Sequence, residues 1–204
     1  MRYNKEYYSN NSQDGDRPAL IMYEKLWRKY SGVGPVLEFG CGVGHFAKRL
    51  SKHAKVYGVE TNTYALSAAR QIAPKAKFLE SMRDIPDNHL SSIVALHVFE
   101  HIEDALLVNI FQEMNCKLTV NGTVIAVMPN KFGGAHILKG KDWKAFSDPT
   151  HLNIKSAQEW ENMFKTVWGL SIISSFSDGY YDFPYATKRK YFFPFLIYAD
   201  YCAP

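Results

Sequence analysis

Cysteine is scarce in this chain: three among 204 residues, at Cys41, Cys116 and Cys202. An odd, widely spaced set without a C-x-x-C pair argues against a disulfide framework or a zinc site, so no metal is expected. The same set points to a reducing compartment, and the expected location is cytoplasmic. Long apolar runs are missing as well. None approaches the roughly 20 residues of a membrane helix, and the aromatic stretch from Tyr191 to Tyr198 is short and broken by Pro194. The first twenty residues are polar and lack a signal-peptide core. Neither sign of charge dominates. Twenty-four basic against 20 acidic residues leave +4, which gives no reason to expect nucleic acid. The small clusters Lys139, Lys141, Lys144 and Lys188, Arg189, Lys190 read as solvated faces. Walker loop, nucleophile elbow and internal repeat are all absent.

What is present is the alternation of an α/β protein. A hydrophobic content of 47% with 22% charge suits a soluble globular chain, and the length suits one domain over 1–204. Within it, 1–34 reads as an arm and a helix, 35–130 as a core, and 131–204 as an insertion, a helix and last strands. Pro18 opens a helix through about Tyr30 with Leu20, Tyr23, Trp27 and Tyr30 on one stripe. Strands are expected at Val36–Phe39, Lys55–Glu60, Ala76–Glu80, Ser92–Leu96, Thr123–Met128 and Leu170–Phe176, with Asn121-Gly122 as a turn. Helices lie between them. One has Thr61 or Asn62 near its cap; another has Glu103 and Asp104 at its N-terminus, with Leu106, Leu107, Ile110, Phe111 and Met114 inward. A third opens on the capping box Ser156/Glu159, with Trp160, Met163, Phe164 and Val167 at helical spacing. The tail from Tyr180 to Tyr201 returns as a last strand. The whole reads as a Rossmann-like, doubly wound, mostly parallel sheet of about seven strands.

Within that frame, Val36-Leu37-Glu38-Phe39-Gly40-Cys41-Gly42-Val43-Gly44 is a buried strand, a tight turn and a helix start. Gly42 to Ala47 fits G-x-G-x-x-A, the pattern of a dinucleotide site, so an NAD-dependent oxidoreductase or epimerase stays open as an alternative. Glu38 argues against it. A carboxylate before the turn would stand where pyrophosphate charge must go, whereas it suits a ligand carrying an ammonium and a sulfonium.

Glu38-x-Gly40-x-Gly42-x-Gly44 resembles motif I of the class I S-adenosylmethionine-dependent methyltransferases. Three further segments agree in order and spacing. Val59-Glu60 ends the second strand where the family has an acidic residue on both ribose hydroxyls. Ser81-Met82-Arg83-Asp84-Ile85-Pro86 lies where the family usually writes Gly-Asp-Ala before Leu-Pro. Leu96-His97-Val98-Phe99-Glu100-His101-Ile102 is similar to the His-Val-Leu-Glu-His-Val segment of the small-molecule subgroup, which includes ubiquinone-pathway O-methyltransferases. Asp148-Pro149-Thr150-His151 is similar to a loop of some bacterial members.

The resemblance implies S-adenosylmethionine as cofactor. Glu38 would hold the methionyl ammonium, Gly40, Gly42 and Gly44 would admit the cofactor against backbone, and Glu60 would hold the ribose. Leu96 and His97 would form the floor under the methionyl chain. Ser81 replaces the family's acidic residue near adenine, and Met82 would cover the adenine face or simply fill core. The expected reaction is methyl transfer to a small-molecule acceptor, with oxygen as the expected atom. A non-catalytic S-adenosyl-binding protein is a second alternative. An oxygen acceptor needs deprotonation, for which histidine is suited. His151 and His136 are the candidates for the acceptor side, while His101 reads as packing at the start of the next helix. Tyr7, Tyr8 and Arg17 in the arm would close over the site. The tail aromatics would line a pocket, form a homodimer surface, or finish the core.

Overall fold

The computed structural model describes Tyr8 and residues 15–133, 144–175 and 197–200. Helix α1 (Pro18–Tyr30) starts with proline at its first turn, where the missing N–H costs nothing, and stops at Ser31. Strand β1 (Val36–Phe39) leads through the glycine turn into α2 (His45–Leu50). Then come β2 (Val56–Val59), α3 (Thr63–Ile72), β3 (Lys77–Leu79), a 3-10 turn (Met82–Asp84) and β4 (Leu90–Leu96). A second 3-10 turn (Phe99–His101) leads to α4 (Asp104–Lys117) and β5 (Leu118–Val127). The short α5 (Lys144–Ser147), α6 (Ala157–Met163) and a π turn (Phe164–Trp168) precede β6 (Ser171–Ser175) and β7 (Ile197–Asp200).

The sheet has the order β3-β2-β1-β4-β5-β7-β6. Five strands run parallel, and β7 inserts antiparallel between β5 and β6. The seven-stranded, doubly wound reading is therefore borne out, including a last strand from the tail. Chain order reverses between β1 and β4, so the crevice beyond the carboxyl ends of these strands is where a ligand belongs.

Alternate residues of the central strands face opposite layers. Leu37, Ile93 and Ala95 join Phe99, Phe111, Trp160, Phe164 and Trp168 on one face. Val36 and Val94 join Trp27, Phe46, Leu50 and Leu66 on the other. Trp27 is fixed further by its Nε1–H, which donates to Ser92 Oγ at 2.9 Å. In the first layer Phe111 stacks on Trp168 at 4.2 Å and meets Phe99 edge-on at 5.2 Å.

Three local expectations need correction. Val167 is exposed and Trp168 is buried in its place. The five residues Phe164–Trp168 are wound as a π turn, which moves the inward position on by one. Leu106 is 55% exposed rather than core. Asn121-Gly122 is no free turn but an interruption within β5. Leu90 pairs with Leu118 and Ser92 with Thr123, so four β5 residues bulge opposite Ser91, and Asn121 takes φ 62° to allow it.

Because Phe111 is fully buried among three aromatic partners, Phe99, Phe164 and Trp168, Phe111→Ala should destabilise the protein by about 3–5 kcal/mol. A urea titration with unchanged m-value would check this.

Candidate functional site

The site begins where β1 ends. Gly40 N–H and Cys41 N–H both donate to the Val59 carbonyl, at 2.8 and 3.1 Å, which carries the turn across the top of β2. Gly42 N–H then donates to Glu60 Oε2 at 3.1 Å, and Asn62 N–H to Glu60 Oε1 at 2.9 Å. Two glycines are needed here for space as well as backbone angle. Gly40 has φ 69°, and a Cβ on it would come within 2.5 Å of Val98 Cγ2. Gly44 has φ 88°, and its Cβ would stand 2.9 Å from Ala69 Cα, so only glycine lets α2 start this close to α3. Gly42, between them, faces the ring of Tyr8.

Glu38 lies under this turn, 5% exposed, and its Oε2 has no hydrogen-bond partner among the described residues. Burial pushes its carboxyl well above the usual range, and the nearby Glu60 raises it further against a bond to the Ala47 backbone. Burial likewise pushes the Cys41 thiol up.

A cavity of about 440 Å³ opens over these residues. That volume suits a nucleoside-sized ligand. It is lined too by Leu96 at the end of β4 and by His97 and Val98 after it. His97 holds the left-handed φ 56°, rare for a side chain of this kind, and its Nδ1 is 3.4 Å from Glu100 Oε1. Glu100 is 1% exposed, and neither carboxylate oxygen has a hydrogen-bond partner among the described residues. The far wall is apolar, made of Ile102, Leu106 and Ile110, with His101 beside it. Arg17, Gly15 and Tyr8 of the arm reach the opposite rim, and Asp16 holds that segment by pairing with Arg49 at 2.6 Å.

His101 is held from behind by the segment before α6. Its Nδ1 lies 3.1 Å from the Thr150 carbonyl and 3.0 Å from Thr150 Oγ1. The Thr150 hydroxyl donates to Asp148 Oδ1 at 2.6 Å, and its N–H to the same oxygen at 2.9 Å. His151 sits edge-on to His101 at 4.6 Å, and its Nε2 is 4.0 Å from Asp148 Oδ2. Ligand-type atoms of Glu100, His101 and His151 all lie within 4.8 Å of one another. Burial pushes the imidazole of His101 down from its ordinary value, and the charge of His151 adds to this against Glu100, the Thr150 backbone and Asp148. Burial raises the Asp148 carboxyl, but the Thr150 bonds and the two histidines carry it net below the ordinary range.

Of the residues singled out from sequence, Glu38, Gly40, Gly42, Gly44, Glu60, Leu96 and His97 all line the cavity. Ser81 and Met82 do not. Ser81 accepts the Arg83 N–H at 3.2 Å, and Met82 is buried in the core with Ile85. His151 lies behind the wall rather than on it. His136, Tyr7 and the tail aromatics fall outside the described residues, except Tyr198, whose backbone is in β7. The residue missed is His101, which lines the cavity. Its packing against Thr150, 49 residues on, is not a pattern that sequence displays.

The sequence matches the profile of a family described as a methyltransferase domain over residues 16–175. The chain belongs to the methyltransferase domain family. Solved structures agree in fold. The YcgJ protein from Bacillus subtilis is 18% identical, with a TM-score of 0.64 over 91% of this chain and 99% of that one. A SAM-dependent methyltransferase from Archaeoglobus fulgidus is 14% identical, with a TM-score of 0.64 over 89% and 94%. A geranyl diphosphate C-methyltransferase from Streptomyces coelicolor, solved with Mg2+, geranyl diphosphate and S-adenosyl-L-homocysteine, is 16% identical with a TM-score of 0.66 over 88% and 78%. No curated relative matches significantly. The resemblance to class I S-adenosylmethionine-dependent methyltransferases is borne out, and with it the enzyme class and cofactor. Among the described residues of this methyltransferase, no helix is long and apolar enough to cross a membrane.

The residues present fit that cofactor: a buried carboxylate oxygen lacking a partner suits a cationic head, and the glycine cradle leaves room at the backbone. Because the Glu38 pKa is higher folded than unfolded, this carboxyl favours the fold at low pH. That contribution is lost as pH rises above its ordinary 4.5. Glu38→Gln should therefore stabilise the ligand-free methyltransferase at neutral pH, by about 1–3 kcal/mol, and weaken S-adenosylhomocysteine binding. Melting curves against wild type at neutral and acid pH would check it, with the gain vanishing in acid.

Proposed function

We propose that this cavity holds the methionyl and ribosyl parts of S-adenosylmethionine and that the methyl group passes to an oxygen of a small acceptor. The observation that carries the donor side is the buried, unpartnered Oε2 of Glu38 beside the glycine turn. In this reading Glu38 accepts from the methionyl ammonium. Glu60 accepts from the ribose hydroxyls, since each oxygen carries one backbone N–H and keeps a second lone pair. Gly40, Gly42 and Gly44 give the close approach, and Leu96 and His97 bear the methionyl chain. Adenine extends along the carboxyl edge toward Ser81 and Met82, because Glu60 N–H donates to Leu79 at the end of β3.

Bound cofactor supplies an activated methyl group, so the protein contributes mainly proximity, orientation and removal of the acceptor proton. His101 at the cavity wall supports oxygen as the acceptor atom, with His151 behind it. The apolar wall of Ile102, Leu106 and Ile110 favours an acceptor with an apolar body, such as a phenol, over a sugar.

A ligand at a hundred times its dissociation constant stabilises a protein by about 2.7 kcal/mol. S-adenosylmethionine and S-adenosylhomocysteine should each raise the melting temperature and NAD(H) should not; the reverse would sink this reading. Glu60→Ala should abolish the shift, and normal binding by that variant would remove the ribose assignment.

A further inference from the structure

The structure assigns to Asp148 and Thr150 the role of positioning residues that hold His101 with its proton on Nδ1, leaving Nε2 as the base for the acceptor. The inference rests on the oxygen-transfer reading above and deepens it. Its logic is the count of donors. Thr150 Oγ1 has one hydrogen, and at 2.6 Å from Asp148 Oδ1 that hydrogen is committed to the carboxylate, which in its ionised form only accepts. Toward His101 the same oxygen can therefore only accept. The Thr150 carbonyl, also against Nδ1, can never donate. Two acceptors on one ring nitrogen require that nitrogen to be the N–H, so in the neutral ring Nε2 carries the lone pair.

The groups facing His101 serve the same end. Glu100 precedes it, with Oε1 near His97; His151 packs edge-on; Asp148 stands behind Thr150. Burial keeps the ring neutral at rest, and the two carboxylates stabilise the imidazolium once it forms. In the step itself the acceptor O–H bond breaks and its proton goes to Nε2. The oxygen pair forms the new C–O bond, and the C–S pair stays on sulfur, giving neutral S-adenosylhomocysteine. The imidazolium then returns its proton to solvent. His101 thus replaces His151 as the base, with His151 part of its support.

The test is long-range 1H–15N NMR of the full-length, 15N-histidine-labelled protein with S-adenosylhomocysteine, using His101→Gln to assign the signal. The expected result is an Nδ1–H tautomer that titrates below 6.5. Thr150→Val should lower the share of that tautomer and Thr150→Ser restore it, with S-adenosylhomocysteine affinity unchanged in both. An Nε2–H tautomer, an imidazolium at neutral pH, or a ratio indifferent to Thr150→Val overturns the assignment. Stoichiometric uptake of Mg2+ or Zn2+ by the His101 ring overturns it too, since the lone pair then belongs to a cation. Should Thr150→Val not fold, the wild-type tautomer decides alone. Failure of wild type to bind S-adenosylhomocysteine sinks the donor reading, while the same spectra without ligand still judge the tautomer.

Discussion

The hydrogen bond from Gly42 N–H to Glu60 Oε2 ties the turn after β1 to the end of β2, and the donor side of the molecule depends on that tie. Beside it, the glycine turn is held by the Val59 carbonyl and by the bond from Gly44 N–H to the Cys41 carbonyl, and three left-handed residues in five positions are a loose chain. With it, Glu60 is oriented by two N–H groups while its outer lone pairs stay available. Glu38 is treated oppositely. It is drawn beneath the turn with an oxygen left unsatisfied, and the neighbouring Glu60 makes its ionisation harder. One carboxylate is fixed and the other is left uncompensated. Such an arrangement disfavours the ligand-free protein and favours a cationic ligand, because a positive head offsets what the fold leaves open.

The acceptor side is organised from the core outward. Phe99 is fully buried among Phe39, Phe111, Trp160, Phe164 and Trp168, and this aromatic group anchors the 3-10 turn Phe99–His101. The turn's next two residues, Glu100 and His101, are placed by that anchor. Asn153 ties the approaching segment down. Its N–H donates to the Glu100 carbonyl at 2.9 Å, and its side chain bridges the Ile102 carbonyl and Asp104 Oδ1. These bonds from Asn153 set where Thr150 and Asp148 stand relative to His101.

This difference explains how far sequence reached. Residues 36–60 carry their geometry locally: alternating apolar residues, glycines at fixed offsets and a carboxylate at a strand end, each a short-range pattern. The doubly wound sheet and the cavity lining by Glu38, the glycines and Glu60 follow from them. Trp168 escaped because a π turn breaks the 3.6-residue period on which Val167 was assigned inward. Leu106 looked like core because apolar periodicity does not distinguish a core stripe from a cavity wall. His101 reads as packing because its partners lie 49 residues ahead in a loop without period. The Asp-Pro-Thr-His segment is legible as a motif; that its threonine hydrogen-bonds the cavity residue while its histidine packs against the same ring is not.

His97 joins the two sides. Its left-handed backbone lets the chain leave β4 and turn back at once, while its N–H still donates to the Val127 carbonyl at 2.8 Å and closes the sheet. An extended residue there would carry Phe99 away from the core and Glu100 out toward solvent. The reversal brings Glu100 Oε1 to 3.4 Å from Nδ1 of the His97 ring. Val98, one residue on, packs against the place where a Cβ on Gly40 would stand. The glycine turn after β1 and the turn after β4 thus approach each other closely at Gly40 and Val98. A side chain at position 40 would displace Val98 and with it the start of the turn that carries His101. The requirement for glycine at position 40 therefore comes from Val98 and the turn after it as much as from the backbone angle at Gly40 itself.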